Sequence, residues 1–449
     1  MKTLKQINAA FTLLEVMVSS ALIVVIMGFL MYTMDQTQRT MRGADSRIGQ
    51  FQTARVAFEA MTRNLSQATL NTYYDLDTTD KGTNGAKLAN GETRPTGYRR
   101  ASDLHFVSGL AASAKILDST EVIDPTHAVF FQAPLGVSYQ DDNTVLSASG
   151  YEAAPTTDSS NDKEVKRKYR FLNGLMNVCG YYIHWSEDQV VPTFLKDDVA
   201  ANKIAPRYRY RLMEVAQPAE TVAIYNNRWY TRPGGKSGNF VAPANEGARS
   251  KVYENATDWI KVAVGKFQPT LGFKTDYSRP LADNIVAMII VPKLPESDRK
   301  QKKLLNDLTL DYEYDSRPDK VYDGDFTKGT TTVASLLTSD QERSQYAQLP
   351  PILQVTLVAI DEDSGSKLES SLSDAKSGPS EHWAKGLFKN LLDEKKFNEE
   401  LGAESKPGEQ SLLGRLAGLD ASLKLPKMNF RIFTTDVVMR SAKWTNTNQ

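Results

Sequence analysis

One acidic residue inside a long apolar run constrains this chain more than any other feature. From Phe11 to Met34 every residue except Glu15 is hydrophobic, small or hydroxyl-bearing. As a helix that run measures roughly 36 Å at about 1.5 Å per residue, enough to cross the ~30 Å hydrocarbon core of a bilayer. A carboxylate at membrane depth costs about 2.5 kcal/mol or more, so it is retained where a cation offsets it. Glu15 therefore calls for a positive partner. Two simpler explanations fit less well. A secretory signal has a shorter apolar core with its small-residue cleavage site after that core. Here Ala9 and Ala10 precede the run, and Tyr32-Thr33-Met34-Asp35 closes it. A plain anchor accounts for the length and leaves Glu15 unexplained. Lys2 and Lys5 before the run face Arg39 and Arg42 after it, so charge bias sets no clear orientation.

A short basic stretch from Met1 to Ala10, then Phe11-Thr12-Leu13-Leu14-Glu15, then the apolar run, resembles the N-terminal signal of type IV pilins and type II secretion pseudopilins. The resemblance implies a leader of residues 1–10 removed by a prepilin peptidase, methylation of the new Phe11 amine, and Glu15 as the fifth residue of the mature chain. Ala10 stands where that family usually carries Gly. It also implies that the Phe11 amine, from the same or a neighbouring subunit, is the cation Glu15 needs. Ala10, Phe11 and Glu15 are thus the expected processing and assembly residues.

Beyond the membrane-length part, residues 11–34, an amphipathic continuation over residues 35–70 is expected. Ile48, Phe51, Ala54, Phe58, Met61, Leu65 and Ala68 recur at steps of three and four, opposite Arg47, Gln50, Arg55, Glu59 and Arg63. Because the first proline comes only after Gly91, one long helix from Phe11 to Ala68 is the simplest reading, with Gly28 and Gly43 as weak points.

The rest of the chain, residues 71–449, reads as a β-rich extracytoplasmic domain, which makes the whole an α+β fold. Strands are expected at Leu104–Val107, Ala128–Gln132, Gly180–Trp185, Arg207–Val215, Ile285–Val291, Leu308–Tyr314, Ile352–Ile360 and Phe430–Met439. Asp75–Gly97 and Tyr151–Lys168 read as polar loops. Arg207-Tyr208-Arg209-Tyr210-Arg211 alternates by two, which is expected to give a half-exposed strand with aromatic and cationic faces. A helical insertion over residues 361–427 is expected, with Trp383, Leu387, Phe388, Leu391, Leu392 and Phe397 at near-helical spacing and a short helix near Leu412–Leu419.

Composition narrows function by exclusion. Lys+Arg and Asp+Glu both number 54, with no basic block of the kind a nucleic-acid binder shows. The single Cys179 leaves no partner for an intramolecular disulfide and reads as a small buried hydrophobe. No enzyme constellation emerges. The four histidines are dispersed, Gly235-Lys236-Ser237 lacks the first glycine of a phosphate-binding loop, and no nucleophile elbow is present. No catalytic residue, cofactor site or metal site is therefore assigned. The acidic stretches Asp75, Asp77, Asp80 and Asp311, Asp315, Asp319, Asp323, Asp325 read as solvated loops, since neither follows an EF-hand.

Later segments extend the resemblance. Gln52 to Leu65 is similar to the post-anchor helix of minor pseudopilin J and PilW-like proteins, and Leu281–Val286 and Leu349–Leu357 look like their later strands. Phe430-Arg431-Ile432-Phe433-Thr434-Thr435, with Trp444, most resembles the Verru_Chthon cassette protein C family. The resemblance implies a non-enzymatic minor subunit in the inner membrane. It would be single-pass and assembled with other pilin-like subunits through its N-terminal helix. The alternative is a membrane-anchored surface binding protein or adhesin, with Trp229-Tyr230 as its contact.

Overall fold

The computed structural model describes residues 13–77, 97–111, 126–137, 174–187, 207–219, 222, 257–264, 277–293, 313–317, 344–371, 414, 416 and 427–444. It is α+β: a long N-terminal apolar helix followed by a β-rich region. The chain divides into two compact units, Met1–Gln52 and Thr53–Gln449.

Helix α1 runs without interruption over Leu13–Leu65, through Gly28 and Gly43. It closes on tight turns, with the Gln67 amide donating to the Asn64 carbonyl (3.0 Å) and the Ala68 amide to that of Leu65 (3.0 Å). Within the second unit the expected stripe is observed: Ala54, Ala57, Phe58, Met61, Leu65 and Ala68 are buried, and the Phe58 ring sits 6.0 Å from that of Phe433.

Among the described residues eleven strands form three antiparallel sheets. Strands β1 (Tyr73–Asp77) and β2 (Gly97–Ala101) pair as a ribbon. The main sheet contains β3 (Val107–Leu110), β4 (His127–Pro134), β5 (Met176–Glu187), β6 (Tyr208–Gln217), β7 (Ser278–Asp283) and β9 (Tyr314–Asp315), in the order β7-β6-β5-β4-β3-β9. A three-stranded sheet β11-β10-β8 joins β8 (Ile285–Lys293), β10 (Ile352–Ile360) and β11 (Phe430–Val438). Two short helices, α2 (Asp258–Ala263) and α3 (Glu362–Ser370), complete the described elements.

Side chains directly opposite one another in an antiparallel pair share a face. Tyr181 lies opposite both Val129 and Glu214, which puts His127, Tyr181, Tyr210 and Glu214 on one face of the main sheet. Asn64 of α1 donates to the Tyr181 hydroxyl (2.8 Å), and Ile290 of β8 donates its backbone N–H to Nδ1 of His127 (2.9 Å). This face therefore carries both the end of α1 and the small sheet. The opposite face holds Phe130, Tyr182, Arg209 and Arg211. There Phe130 stacks on Tyr182 and meets Trp259 of α2 edge-on. Strand β8 is buried along nearly its whole length, as its unbroken apolar run requires.

Several expectations are corrected. Leu104–Phe106 precede β3 rather than belong to it, because their amides are taken by side chains: Leu104 by Ser102 (3.1 Å), His105 by Gln132 (2.8 Å) and Phe106 by Ser316 (2.8 Å). Both ends of the expected Asp75–Gly97 loop are strand, since Asp75 pairs with Arg99 and Asp77 with Gly97. Strand β7, for which no strand is expected from the sequence, contains Pro280, which an edge strand tolerates. Of Leu308–Tyr314 only Tyr314 falls in β9, and 308–312 lie outside the described residues. The insertion begins as a helix, α3, with Gly414 and Leu416 also helical. Trp383 to Phe397 lie outside the described residues, as does Tyr151–Lys168.

His127 links fold to pH. Burial drives its pKa down to about 4, a hydrogen bond with the Ile290 backbone acting in the opposite direction. Between pH ~6.5 and ~4 the unfolded chain holds a proton that the folded chain refuses, so stability falls by roughly 3 kcal/mol as pH drops through that window. Denaturant titrations of the detergent-solubilised chain across this range should lose most of that slope in His127→Asn, whose amide oxygen can still accept from Ile290. Parallel pH profiles for the two proteins would contradict this.

Candidate functional site

Two regions carry chemistry beyond ordinary packing: the apolar half of α1 and the cationic face of β6. Ala10 and Phe11 lie outside the described residues, so the cleavage junction has no described geometry. Glu15 sits in the first turn of α1, where a negative charge also complements the helix dipole. Its side chain is exposed in the chain, and its carbonyl accepts from the Ser19 hydroxyl (2.7 Å).

Around Glu15 the helix is apolar on every side. Leu14, Val18, Val25, Phe29, Leu30 and Met31 are between 58% and 73% exposed, and none of the Leu13–Gln38 span is buried in the chain. Its serine and threonine hydroxyls bond back to the helix. Ser20 bonds back to the Met17 carbonyl (3.0 Å) and Thr33 to that of Leu30 (2.9 Å), as hydroxyls do in lipid-facing helices. With 26 residues, Leu13–Gln38 is long and apolar enough to cross a membrane. One such helix near the N-terminus is consistent with single-pass anchoring.

The β6 motif overturns the expectation of a half-exposed strand. Tyr208, Arg209, Tyr210 and Arg211 are all buried; only Arg207 is substantially exposed. On the aromatic side, Trp185 meets Tyr210 edge-on at 4.9 Å. On the other side the charges are paired. Arg209 uses all five donors of its guanidinium. Nε and one terminal nitrogen reach Glu362 Oε1 (3.2 and 2.8 Å), that nitrogen also reaches Ser366 Oγ (2.8 Å), and the other reaches the Tyr208 carbonyl (2.6 Å) and Glu369. Arg211 binds Asp283 (2.8 Å) and the Ser186 carbonyl (2.6 Å).

Helix α3 supplies this grip because Glu362, Ser366 and Glu369 fall at steps of four and three on one face. Its Asp361 cap accepts from the Ser364 amide (2.9 Å) and from Asn429 (2.9 Å), tying the start of α3 to the start of β11. Gly365 allows the close approach: a Cβ there would strike Asn284 and come within 3.2 Å of Arg209 Cδ. Burial raises the Glu362 pKa, but hydrogen bonds from Arg209 and Asn284 and the charges of Arg209 and Arg207 hold it below the usual carboxylate value. With every guanidinium donor of Arg209 occupied, this cluster docks a helix rather than receiving an anion. Sequence reading missed the cluster because the carboxylates lie more than 150 positions away from Arg209.

The remaining candidates settle into structural roles. Cys179 is buried, and burial pushes its thiol up to about 12. His105 accepts from the Trp259 indole (3.1 Å) and faces Asp315 (2.7 Å), taking one of the expected solvated aspartates into a partly buried pair. Burial and then the nearby Arg211 lower the His184 pKa. Among the described residues no group of three His, Cys, Asp or Glu side chains is placed to hold a metal. His382, Trp229-Tyr230, Gly235-Lys236-Ser237, Asp80, Asp311, Asp319, Asp323 and Asp325 lie outside the described residues.

Comparison with protein-family models, with curated proteins and with solved structures found no match.

Removing the Arg209 charge leaves Glu362 and Glu369 half-buried without their main partner. Arg209→Met should cost roughly 3 kcal/mol, at the low end for a broken buried ion pair because both carboxylates keep some water. A denaturation midpoint within 0.5 kcal/mol of wild type, on the order of an exposed substitution, would show that α3 does not depend on this contact.

Proposed function

We propose that this chain is a membrane-anchored, pilin-like minor subunit. A prepilin peptidase on the cytoplasmic side of the inner membrane removes residues 1–10, and the mature chain assembles with other pilin-like subunits through α1. The observation that carries this reading is the position of Glu15, the only charged side chain from Leu13 to Met34, in the first turn of a membrane-length helix. Cleavage after Ala10 places the Phe11 amine one helical turn from Glu15. As a helix leaves the bilayer for a parallel bundle, its carboxylate meets the terminal amine of a neighbour and fixes the axial register. Burial of apolar helix surface supplies most of the affinity, and the charge pair supplies alignment.

Further support comes from the last turns of α1, where Ala54, Ala57, Phe58, Met61 and Leu65 are buried within the unit that contains the antiparallel sheets. That joins an assembly helix to a folded domain of a kind expected for a non-repeating subunit. No catalytic role is included in this reading, and the partners are proteins and lipid rather than nucleic acid.

The test is Glu15→Val expressed in the native host. Removing a charge from an apolar helix favours insertion, so membrane levels should be unchanged. Co-purification with other prepilin-motif proteins should drop by about ten-fold, the effect of losing roughly 1.4 kcal/mol of pairing. Undiminished incorporation of the variant would refute the assembly role of Glu15.

A further inference from the structure

The edge of a β-sheet is open to further pairing, because one row of backbone N–H and C=O groups points away from the sheet. In the two larger sheets every edge but one is blunted or covered. At one end of the main sheet β7 carries Pro280, and its pairing with β6 slips between Leu212 and Met213. At the other end β9 is two residues long. In the small sheet β8 is buried along nearly its whole length, and its Ile290 amide donates to His127 (2.9 Å).

Strand β11, the other edge of the small sheet, has none of these protections. Its nine residues contain no proline and keep one register against β10 from Phe430 to Val438. Hydrogen bonds at its two ends fix which groups point outward. The Asp361 amide donates to the Asn429 carbonyl (3.1 Å) and the Met439 amide to the Pro351 carbonyl (3.0 Å), each pair being directly opposite in the same register. Backbone groups of Arg431, Phe433, Thr435 and Val437 therefore turn to β10, and those of Phe430, Ile432, Thr434, Asp436 and Val438 turn away. The next amide in that outward row, of Arg440, donates to the Ser66 carbonyl (3.3 Å). Among the described residues nothing pairs with the backbone of the other five. Thr434 is exposed, Val438 is 65% exposed, and the Asp436 side chain stays 54% exposed although Lys293 approaches it to 3.4 Å.

An outward row of alternating donors and acceptors is matched by another extended backbone. We propose that β11 is a docking edge for an extended segment of a different protein chain, added antiparallel to it and carrying a lysine or arginine opposite Asp436. Antiparallel addition repeats the pairing β11 already makes with β10 and is the more stable arrangement per residue. Charge identifies the occupant. Asp436 is the one charged residue of the outward row, and an opposite charge directly across a strand pair is favourable. A second copy of β11 does not supply it. Antiparallel self-pairing sets outward residues against outward residues, so Asp436 would meet Phe430, Ile432, Thr434, Val438 or another Asp436, none of them a cation. Opposite Ile432 and Val438 the segment is apolar and β-branched, as cross-strand packing favours.

This inference requires neither membrane anchoring nor cleavage after Ala10, so it stands or falls apart from the assembly role of Glu15. The test uses the full-length chain in detergent and a fluorescein-labelled peptide, Val-Thr-Lys-Thr-Thr-Val-Val, whose lysine lies opposite Asp436 when its ends lie opposite Val438 and Ile432. Anisotropy titrations should show binding that weakens about five-fold when glutamate replaces that lysine, and Asp436→Lys should reverse the preference. N-methylation of the third and fifth peptide amides, which face β11, should abolish binding. The same change at the fourth and sixth, which face away, should leave it intact. The protein is identical in that comparison, so a misfolded variant cannot imitate the result. Absence of binding, equal effects of the two N-methylation patterns, or a preference for lysine that survives Asp436→Lys would overturn the inference. So would Ile432, Thr434 and Asp436 amides that already resist hydrogen exchange without peptide, because another part of the chain or a second copy would then occupy the edge.

Discussion

Water cannot host the outer surface of α1 from Leu13 to Met34. Its side chains are apolar around the full circumference of the helix and none of the span is buried in the chain, so the run favours an apolar environment on the order of tens of kcal/mol. The Ser19, Ser20 and Thr33 hydroxyls bond back to the helix, and Glu15 is the one charged side chain of the run. Past the span the helix turns amphipathic and surrenders its stripe first to an exposed stretch and then to a folded domain.

Inside that domain, polar contacts do much of the positioning. One face of the main sheet receives α1 through Asn64, Tyr181 and Glu214, with Arg279 holding Glu214 from the sheet edge (2.6 Å). The other face grips α3 through Arg209. Such buried charges are weak contributors to net stability and strong determinants of arrangement, because any other placement leaves them unpaired. Asn284, at positive φ, lets β7 pass directly into β8 and so change sheets in one residue; its side chain also reaches Glu362 (2.6 Å).

Features governed by local pattern were legible in the sequence. The apolar span, the stripe from Ala54 to Leu65, and strands such as Ile352–Ile360 follow from periodicity over a few residues. What escaped depended on distant partners. Arg209 and Arg211 read as solvent-facing until Glu362, Glu369 and Asp283 arrive from other elements. Leu104–Phe106 read as strand until side chains claim their amides. Glu15 lies in the first described turn of α1, and the role proposed for it depends on chemistry at Ala10 and Phe11, which lie outside the described residues.

That chemistry is open to one direct measurement: the mass of the N-terminal peptide from the chain isolated from its native membranes. A peptide beginning at Phe11 with a methylated amine is the result the proposal expects, since the proposed pairing of Glu15 uses that amine. A chain still beginning at Met1 would contradict the account, leaving an anchored surface protein whose Glu15 has some other purpose.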